Sequence, residues 1–221
     1  MTVETKPEAL AKRVRVIVVG MLKGGSGKTT TAWFIALWWA IRGYRVLILD
    51  GDAVSQTAFT WATKAKARGY KVPITVERYP YDDIAQRITE ALEEFDIVIA
   101  DMGGAAAVGF AEAVSKADLV IMPISPSDAD GWRIPATFSA AEVGAAKNPR
   151  PVHVMILLTK VVKNSKILRK TRAELEENDF PVATTEITTW LYYSESAGHV
   201  PSDLAEYNTL MDEIDKELTS V

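Results

Sequence analysis

The chain carries a glycine-rich stretch that determines its expected fold, Lys23-Gly24-Gly25-Ser26-Gly27-Lys28-Thr29-Thr30. It follows a short apolar run, Val14 to Gly20, and precedes a long helical pattern, so it lies where a strand is followed by a helix. Glycines at such a junction let the backbone turn tightly and direct successive N–H groups at an anion, and the helix dipole adds positive potential. The stretch therefore predicts a loop that binds the phosphates of a nucleoside triphosphate.

The residue types in this loop predict distinct roles. Lys28 supplies a mobile cation for the β- and γ-phosphates, and the Thr29 hydroxyl can ligate magnesium. The general pattern G-x-x-x-x-G-K-[ST] requires glycine at position 22, where this chain has Leu22. The remaining pattern resembles the deviant phosphate-binding loop of the ParA/MinD family of ATPases, and especially that of the small plasmid-type ParA partition ATPases. The mark of that loop is a second lysine at its start, here Lys23.

The resemblance implies both the ligands and the assembly of the protein. ATP and Mg²⁺ are the expected ligands, and a homodimer that sandwiches two ATP molecules is the expected assembly. In the family, the lysine that corresponds to Lys23 reaches across the dimer interface to the nucleotide of the other subunit. Asp130 is expected to border this interface. The expected nucleotide-binding residues are Gly24, Gly25, Ser26, Gly27, Lys28, Thr29, Thr30 and, at the adenine edge, Thr159.

Two further predicted strands end in acidic residues, Asp50 and Asp101, and Asp52 follows the first of them. Ligands of parallel sheets collect at the carboxyl ends of the strands, so these carboxylates are expected near the phosphates. The resemblance implies that Asp52 positions the attacking water, and together with Lys23 and Lys28 it forms the expected catalytic set. The expected magnesium-binding residues are Thr29, Asp50 and Asp101.

Two segments depart from the family's pattern. After Asp52, Ala53 replaces the usual proline and Gln56 arrives one residue late. The alternative for this segment is a simple turn at a strand end that caps the next helix. After Asp101, the sequence Gly103-Gly104 stands where the family often has prolines, and its two glycines retain a loop that can follow the γ-phosphate.

Strand and helix patterns alternate along the chain. Their spacing predicts right-handed βαβ units and an α/β fold of the P-loop NTPase type, with a mostly parallel twisted sheet of about seven strands and helices on both faces. We expect residues 1–13 to form a flexible N-terminal tail and residues 14–221 to form a single P-loop ATPase domain. The predicted strands are residues 14–20, 45–50, 72–78, 95–101, 118–124, 152–158 and 181–187.

Composition excludes several classes of protein. The 221 residues include no cysteine, which excludes a disulfide framework and a thiolate-held iron–sulfur cluster, and with it the nitrogenase iron protein. The longest apolar run, residues 32–41, is about half as long as a bilayer span requires. We expect its tryptophans in the core, although an aromatic binding surface is an alternative. The charged N-terminus and the acidic residues 208–221 predict a cytoplasmic protein without membrane attachment.

Residues 160–172 form a basic stretch without an acid, in a chain whose net charge is −4. On a helix from Ser165, basic side chains share one face, and Leu168 and Leu175 lie opposite. Because the family binds DNA without sequence preference, we expect this face to bind the DNA backbone. The alternative is a helix surface that only keeps the protein soluble. The expected DNA-binding residues are Lys163, Lys166, Arg169 and Lys170.

The resemblance implies a ParA-type partition ATPase. ATP closes the dimer, the dimer binds DNA non-specifically, and a cargo-bound partner, ParB-like or another centromere-binding protein, stimulates a slow Mg²⁺-dependent hydrolysis. Such a protein is associated with the nucleoid and segregates a plasmid or chromosome. One alternative is a positioning ATPase for a microcompartment or receptor array. A less favoured alternative is an ATP-dependent metabolic enzyme of the dethiobiotin synthetase type, whose carboxylate site the sequence does not mark.

Overall fold

The structure, a computed structural model, describes residues 7–104, 107–126, 133–189 and 191–219. Strands and helices alternate along these residues, as the sequence predicts. The strands are β1 (Val16–Gly20), β2 (Val46–Asp50), β3 (Thr75–Arg78), β4 (Ile97–Met102), β5 (Leu119–Ile124), β6 (His153–Val161) and β7 (Val182–Thr188). The helices of the described residues are α1 (Glu8–Arg13), α2 (Lys28–Ile41), α3 (Thr57–Ala67), α4 (Ile84–Glu94), α5 (Ala107–Val114), α6 (Ile134–Ala145), α7 (Lys166–Glu177), α8 (Leu191–Glu195) and α9 (Glu206–Thr219).

The seven strands form one sheet in the order β3-β2-β4-β1-β5-β6-β7, and every neighbouring pair is parallel. Asp50 on β2 pairs in register with Asp101 on β4, and Gly20 on β1 pairs with Met102. The carboxyl ends of these three strands are therefore level with one another. They form the edge of the sheet at which the glycine-rich loop and both acids meet. The predicted parallel sheet of about seven strands is confirmed.

Helices cover both faces of the sheet, and each face has its own apolar core. Residues of α1, α2, α3, α8 and α9 pack on one face, and residues of α4, α5, α6 and α7 pack on the other. Every residue of β1, β2, β4 and β5 is buried. Burial from both sides explains why these strands are continuous apolar runs without the alternation of a one-sided sheet.

The tryptophans of α2 lie inside the protein. Trp33 and Trp39 are fully buried and Trp38 nearly so, which confirms their expected place in the core. α2 contacts β1, β2 and β4 as well as α9, so it is apolar around most of its circumference. Within the described ranges, no helix combines the length and the apolar character needed to cross a membrane.

α1 replaces part of the predicted flexible tail. Leu10 is 0% exposed and belongs to the core that α2 and α9 also form, and α1 contacts α9 directly. The sequence pattern does not predict this helix, because one buried leucine among charged residues gives no periodic apolar signal. Residues 1–6, the remainder of the predicted tail apart from Pro7, lie outside the described residues.

α9 protects β7, which forms one edge of the sheet. Glu213 on α9 accepts hydrogen bonds from the N–H groups of Thr184 (2.6 Å) and Thr185 (2.8 Å). A strand edge whose N–H groups are already bonded is a poor template for another strand. The same contact fixes α9 against the sheet, so its first turn lies near the ligand edge.

We expect Leu10→Ala to lower the free energy of unfolding by about 2 to 5 kcal/mol, the usual cost of truncating a buried leucine. Lys12→Ala is the matched control, because Lys12 is exposed on the same helix. Chemical denaturation of both variants and the wild type measures the difference. Equal stability of all three proteins would contradict the packing of α1 into the core.

Candidate nucleotide-binding site

The glycine-rich loop curves around the side chain of Lys28. Gly25 and Gly27 have φ angles of +79° and +90°, left-handed values that glycine adopts without strain. α2 begins directly after Gly27, so the N–H groups of its first turn, which have no partner within the helix, lie at the loop. Lys28 Nζ donates a hydrogen bond to the Lys23 carbonyl (2.6 Å). The loop thus brings together a cation and backbone N–H groups, the combination that a triphosphate requires.

The end of β6 supports this loop from the side. The Thr159 hydroxyl donates to the Ser26 carbonyl (2.8 Å), and Lys160 Nζ donates to the Gly25 carbonyl (2.5 Å). Thr159, expected at the adenine edge, also lines the cavity beside this loop, and its contact with the adenine stays a prediction. Lys160 was not among the expected site residues. Its sequence neighbours assign it to the basic stretch, and only the fold places it against the loop.

Two acids lie buried beside the loop, Asp50 and Asp101, with exposed fractions of 0% and 2%. The Thr29 hydroxyl is hydrogen-bonded to Asp101, whose Oδ2 atom has no hydrogen-bond partner within the described structure. Burial raises the pKa of Asp101 to about 7, although the Thr29 hydrogen bond and the Lys28 charge oppose the rise. Burial also raises the pKa of Asp50 and lowers the pKa of Lys28.

Thr29 and Asp101 fit a magnesium ion better than Asp50 does. Mg²⁺ at nucleotide sites takes oxygen ligands from one or two protein side chains, water and the substrate phosphates. The unpartnered Oδ2 of Asp101 offers such an oxygen next to the Thr29 hydroxyl. Both Asp50 oxygens accept backbone N–H bonds, from Asp52 (3.3 Å) and Phe59 (3.0 Å). Among the described residues, no cluster of three acids or histidines would hold a metal unaided.

Asp52 closes the turn after β2. Its Oδ1 accepts the N–H groups of Val54 (2.9 Å) and Ser55 (3.0 Å), and its Oδ2 accepts the Ser55 hydroxyl (2.6 Å). Burial by itself would raise the pKa of Asp52, but the hydrogen bonds from Ser55 and Val54 outweigh it and lower the pKa below its ordinary value. The carboxylate is therefore ionised at neutral pH. The alternative role, a turn that leads into the next helix, describes these contacts, and the role in positioning water stays a prediction.

The Gly103-Gly104 loop packs tightly against the other parts of the site. A Cβ atom added to Gly104 would lie 2.7 Å from the carbonyl carbon of Lys23. One added to Gly103 would lie 2.9 Å from the Cα of Asp52. Both distances are too short for a real Cβ, so only glycine allows this approach. The loop after Asp101 therefore contacts both Lys23 and Asp52, two of the expected catalytic residues.

A cavity of about 370 Å³ opens beside the glycine-rich loop, within the size range of small-molecule sites. The hydroxyls of two residues in its wall, Thr188 (2.6 Å) and Tyr193, donate hydrogen bonds to Glu206. These residues could not be found from the sequence, because they come from distant segments and carry no local motif. The lining residues include Gly27, Thr30, Trp61, Ile187, Thr188 and Tyr193.

The expected DNA-binding residues lie outside this site, on α7 and in the turn before it. Leu168 and Leu175 are buried on the opposite face, which confirms the predicted amphipathic helix. Arg172 turns away from the basic face and bonds Glu186 (2.8 Å). The exposed residues of the face are Lys163, Lys166, Arg169 and Lys170. The expected interface residue Asp130 lies outside the described residues.

The parallel sheet, the glycine-rich loop at the start of a helix and the buried acid beside it define a P-loop nucleotide-binding fold. The chain belongs to the family described as the CobQ/CobB/MinD/ParA nucleotide binding domain, which matches residues 17–196. The predicted family and the predicted fold class are thereby confirmed.

Three similar proteins illustrate what this chain resembles. Protein ParA of Rhizobium radiobacter is 32% identical over 119 residues, which cover 52% of this chain and 50% of that protein. The Maintenance of carboxysome distribution protein A of Halothiobacillus neapolitanus is 25% identical over 172 residues, 77% of this chain and 78% of that protein. The chain thus spans half the length of the first relative.

The third is a solved structure, cobyrinic acid a,c-diamide synthase of Mycobacterium smegmatis with a bound ATP analogue and magnesium. It has a TM-score of 0.71 and 19% identity, and the match covers 94% of this chain and 96% of that chain. A likeness at this identity shows the shared fold and nothing beyond it.

We expect Asp101→Asn to stabilise the nucleotide-free protein at pH 8. The pKa of Asp101 is raised to about 7 in the folded protein, above that of an ordinary aspartate, so the folded state binds more protons between about pH 4 and 7. The stability that protonated Asp101 contributes to the wild type is therefore lost as the pH rises through 7. Asparagine at this position has no proton to lose, so its contribution does not change. Denaturation in EDTA at pH 5 and pH 8 measures the difference between the proteins, which should shrink at pH 5.

Asp52→Asn is the control for this experiment. The pKa of Asp52 is lowered in the folded protein, so its ionised form stabilises the fold above about pH 4. Its replacement should bring no gain in stability at pH 8. A destabilised Asp101→Asn protein at pH 8 would contradict the burial of an unpartnered carboxylate.

Proposed function

We propose that this chain is a ParA-type partition ATPase. ATP and Mg²⁺ close a homodimer, the closed dimer binds DNA without sequence preference, and hydrolysis stimulated by a cargo-bound partner releases it. The observation that carries the proposal is the pair of lysines on one loop, since Lys28 lies within the loop and bonds the carbonyl of Lys23 at its start. Membership of the family and the identity to Rhizobium ParA support it.

The site residues act mainly by positioning and by electrostatics. Backbone N–H groups and Lys28 neutralise the phosphates, and Thr29 and Asp101 hold the magnesium ion. When bound, Mg²⁺ stabilises the charge that develops on the transferred phosphoryl group. Asp52, which is ionised at neutral pH, accepts a hydrogen bond from the attacking water and orients it. Such preorganised groups account for most of the rate enhancement in phosphoryl transfer.

The ligand edge of the sheet is the proposed dimer interface. Lys23 begins the loop at this edge, and the Gly104 backbone packs on it, so movement of the loop after β4 shifts the lysine. Apolar side chains are exposed in the segments that follow three strands at this edge, namely Val54, Val108 and Leu191. Exposed apolar residues near a ligand site favour a surface that a second subunit covers.

The expected affinities explain why dimerisation matters for DNA binding. Four exposed cations on one face of a single subunit give non-specific binding with a Kd of about 10⁻⁴ to 10⁻⁶ M. Joining two such faces through the dimer raises the avidity by about 10² to 10⁴ through effective concentration. The nucleotide state would therefore switch DNA attachment on and off. The proposed site of action is the nucleoid.

A positioning ATPase for another cargo is the second candidate. The observation that favours it is the match to the carboxysome distribution protein, which covers 77% of this chain, more than the ParA match covers. Both candidates use the same cycle and differ in the cargo-bound partner. A metabolic synthetase has the same fold, but the basic face of α7 has no role in such an enzyme.

We expect Asp52→Asn to reduce ATP turnover by about a hundredfold while ATP affinity stays within about twofold, because asparagine loses the charge that orients water. Ser55→Ala is the matched control, since it removes a contact of the Asp52 turn (2.6 Å) and keeps the carboxylate. Phosphate release and calorimetry measure the two quantities. If Ser55→Ala is as inactive as Asp52→Asn, ATP turnover depends on the shape of the turn and not on the charge of Asp52, which would contradict the proposed role of the carboxylate.

We expect the triple reversal of Lys166, Arg169 and Lys170 to glutamate to reduce DNA affinity at least tenfold and leave ATP affinity unchanged. The control reverses Lys64, Lys66 and Lys71, which are exposed on and after α3. Both triple variants have the same net charge, so a general charge effect would weaken both equally. Fluorescence anisotropy with a DNA duplex, at fixed salt with ATP and Mg²⁺, measures the affinity. Equal affinities in the two variants would refute the basic face.

A further inference from the structure

Trp61 of α3 lies in the wall of the cavity beside the glycine-rich loop. Gly27 and Thr30 line the same cavity, so it is continuous with the phosphate-binding loop. A nucleotide whose phosphates lie in the loop therefore has this cavity available for its sugar and base. The base must then pack against the groups that the cavity wall offers.

Three of the hydroxyls that line this wall, those of Thr188, Tyr193 and Tyr207, are already bonded within the protein. Glu206 accepts the hydroxyls of Thr188 (2.6 Å) and Tyr193. The Tyr207 hydroxyl is hydrogen-bonded to that of Thr31 (3.0 Å). A base would have to break these bonds to gain hydrogen bonds from these three hydroxyls. Contact with the face of an aromatic ring in the wall carries no such cost.

The Trp61 ring is held in place from behind. Its partner is Trp33 on α2, with ring centroids 6.0 Å apart and planes at 79°, an edge-to-face contact. Trp33 is completely buried, whereas Trp61 is only half-buried. The buried Trp33 ring therefore fixes the orientation of the half-buried Trp61 ring before any ligand binds. A preorganised ring loses little entropy when a base packs on it.

α3 joins this ring to the acidic end of β2. In its first turn the Phe59 N–H donates to Asp50 Oδ2 (3.0 Å). Beyond its last turn, Arg68 Nη1 donates to the carbonyls of Ala197 (3.2 Å) and Gly198 (3.0 Å). The helix is thus tied at both ends to segments around the site. A contact made by Trp61 acts on the same helix that holds Asp50.

We propose that the indole of Trp61 stacks on the nucleobase, which makes α3 the element that connects base recognition with the Asp50–Asp52 turn. This inference rests on the proposed nucleotide site, and it adds a binding residue outside the glycine-rich loop. Loss of an aromatic stacking partner weakens the binding of a base by about 5- to 100-fold.

The experiment compares two probes by calorimetry on the full chain, both with Mg²⁺: ATP and inorganic tripolyphosphate, which has no base. Trp61→Leu removes the ring and keeps apolar bulk against Trp33. It should weaken ATP binding about 5- to 100-fold and leave tripolyphosphate binding within about twofold. Trp61→Phe restores a ring and should recover part of the loss. Tyr70→Ala is the control, because this exposed aromatic contacts His199 outside the cavity and should change neither affinity.

The outcomes separate this inference from the proposed function. Equal losses for both probes in Trp61→Leu would make Trp61 a support of the loop and overturn the stacking. Unchanged ATP affinity would place the base elsewhere and also overturn it. If Trp61→Leu does not fold, Trp61→Phe decides, with an ATP-specific loss in support and none against. A wild type that binds tripolyphosphate as tightly as ATP overturns the base pocket alone, and one that binds neither overturns the nucleotide site itself.

Discussion

Two carboxylates buried side by side at the ends of neighbouring strands are the constraint on which the rest of the site depends. The parallel register of β2 and β4 pairs Asp50 with Asp101, and an apolar sheet surrounds both. Buried charges are costly unless they are neutralised or paired. Backbone N–H groups satisfy Asp50, whereas one oxygen of Asp101 stays unpartnered in the described structure. A fold that keeps such an oxygen beside a threonine hydroxyl and a lysine is suited to a cation and a phosphate chain.

The parts of the protein with local signals could be predicted from the sequence. The glycine-rich loop, the acids at the ends of β2 and β4, and the parallel sheet follow from short patterns that burial on both faces imposes. The parts that depend on distant packing could not. Leu10 gives no periodic apolar signal, so the sequence does not predict α1. The contact of Lys160 with the loop forms only when β6 is in place in the folded sheet. Trp61, Thr188 and Tyr193 reach the cavity wall only in the folded chain.

The fold alone does not decide the function, because relatives with the same sheet carry out unlike tasks. Proteins similar to this chain include a Protein ParA, a carboxysome distribution protein and, by fold alone, a synthetase. What distinguishes them must lie in surfaces added to the common nucleotide site. In this chain two such surfaces stand out: the loop that begins at Lys23, and the basic face of α7, where local charge opposes the net charge of −4. In the proposed function, the first surface serves dimer assembly and the second serves binding of DNA.

The central claim is that nucleotide binding at this edge joins two subunits through Lys23. The most direct test is the solution mass of wild type and Lys23→Ala by sedimentation, each with Mg²⁺ and a non-hydrolysable ATP analogue, with analogue binding measured in parallel. If Lys23 joins the subunits, the wild-type mass doubles, whereas Lys23→Ala binds the analogue and stays a single subunit. A wild type that binds the analogue without any change in mass, or a Lys23→Ala protein that doubles as the wild type does, would contradict this claim.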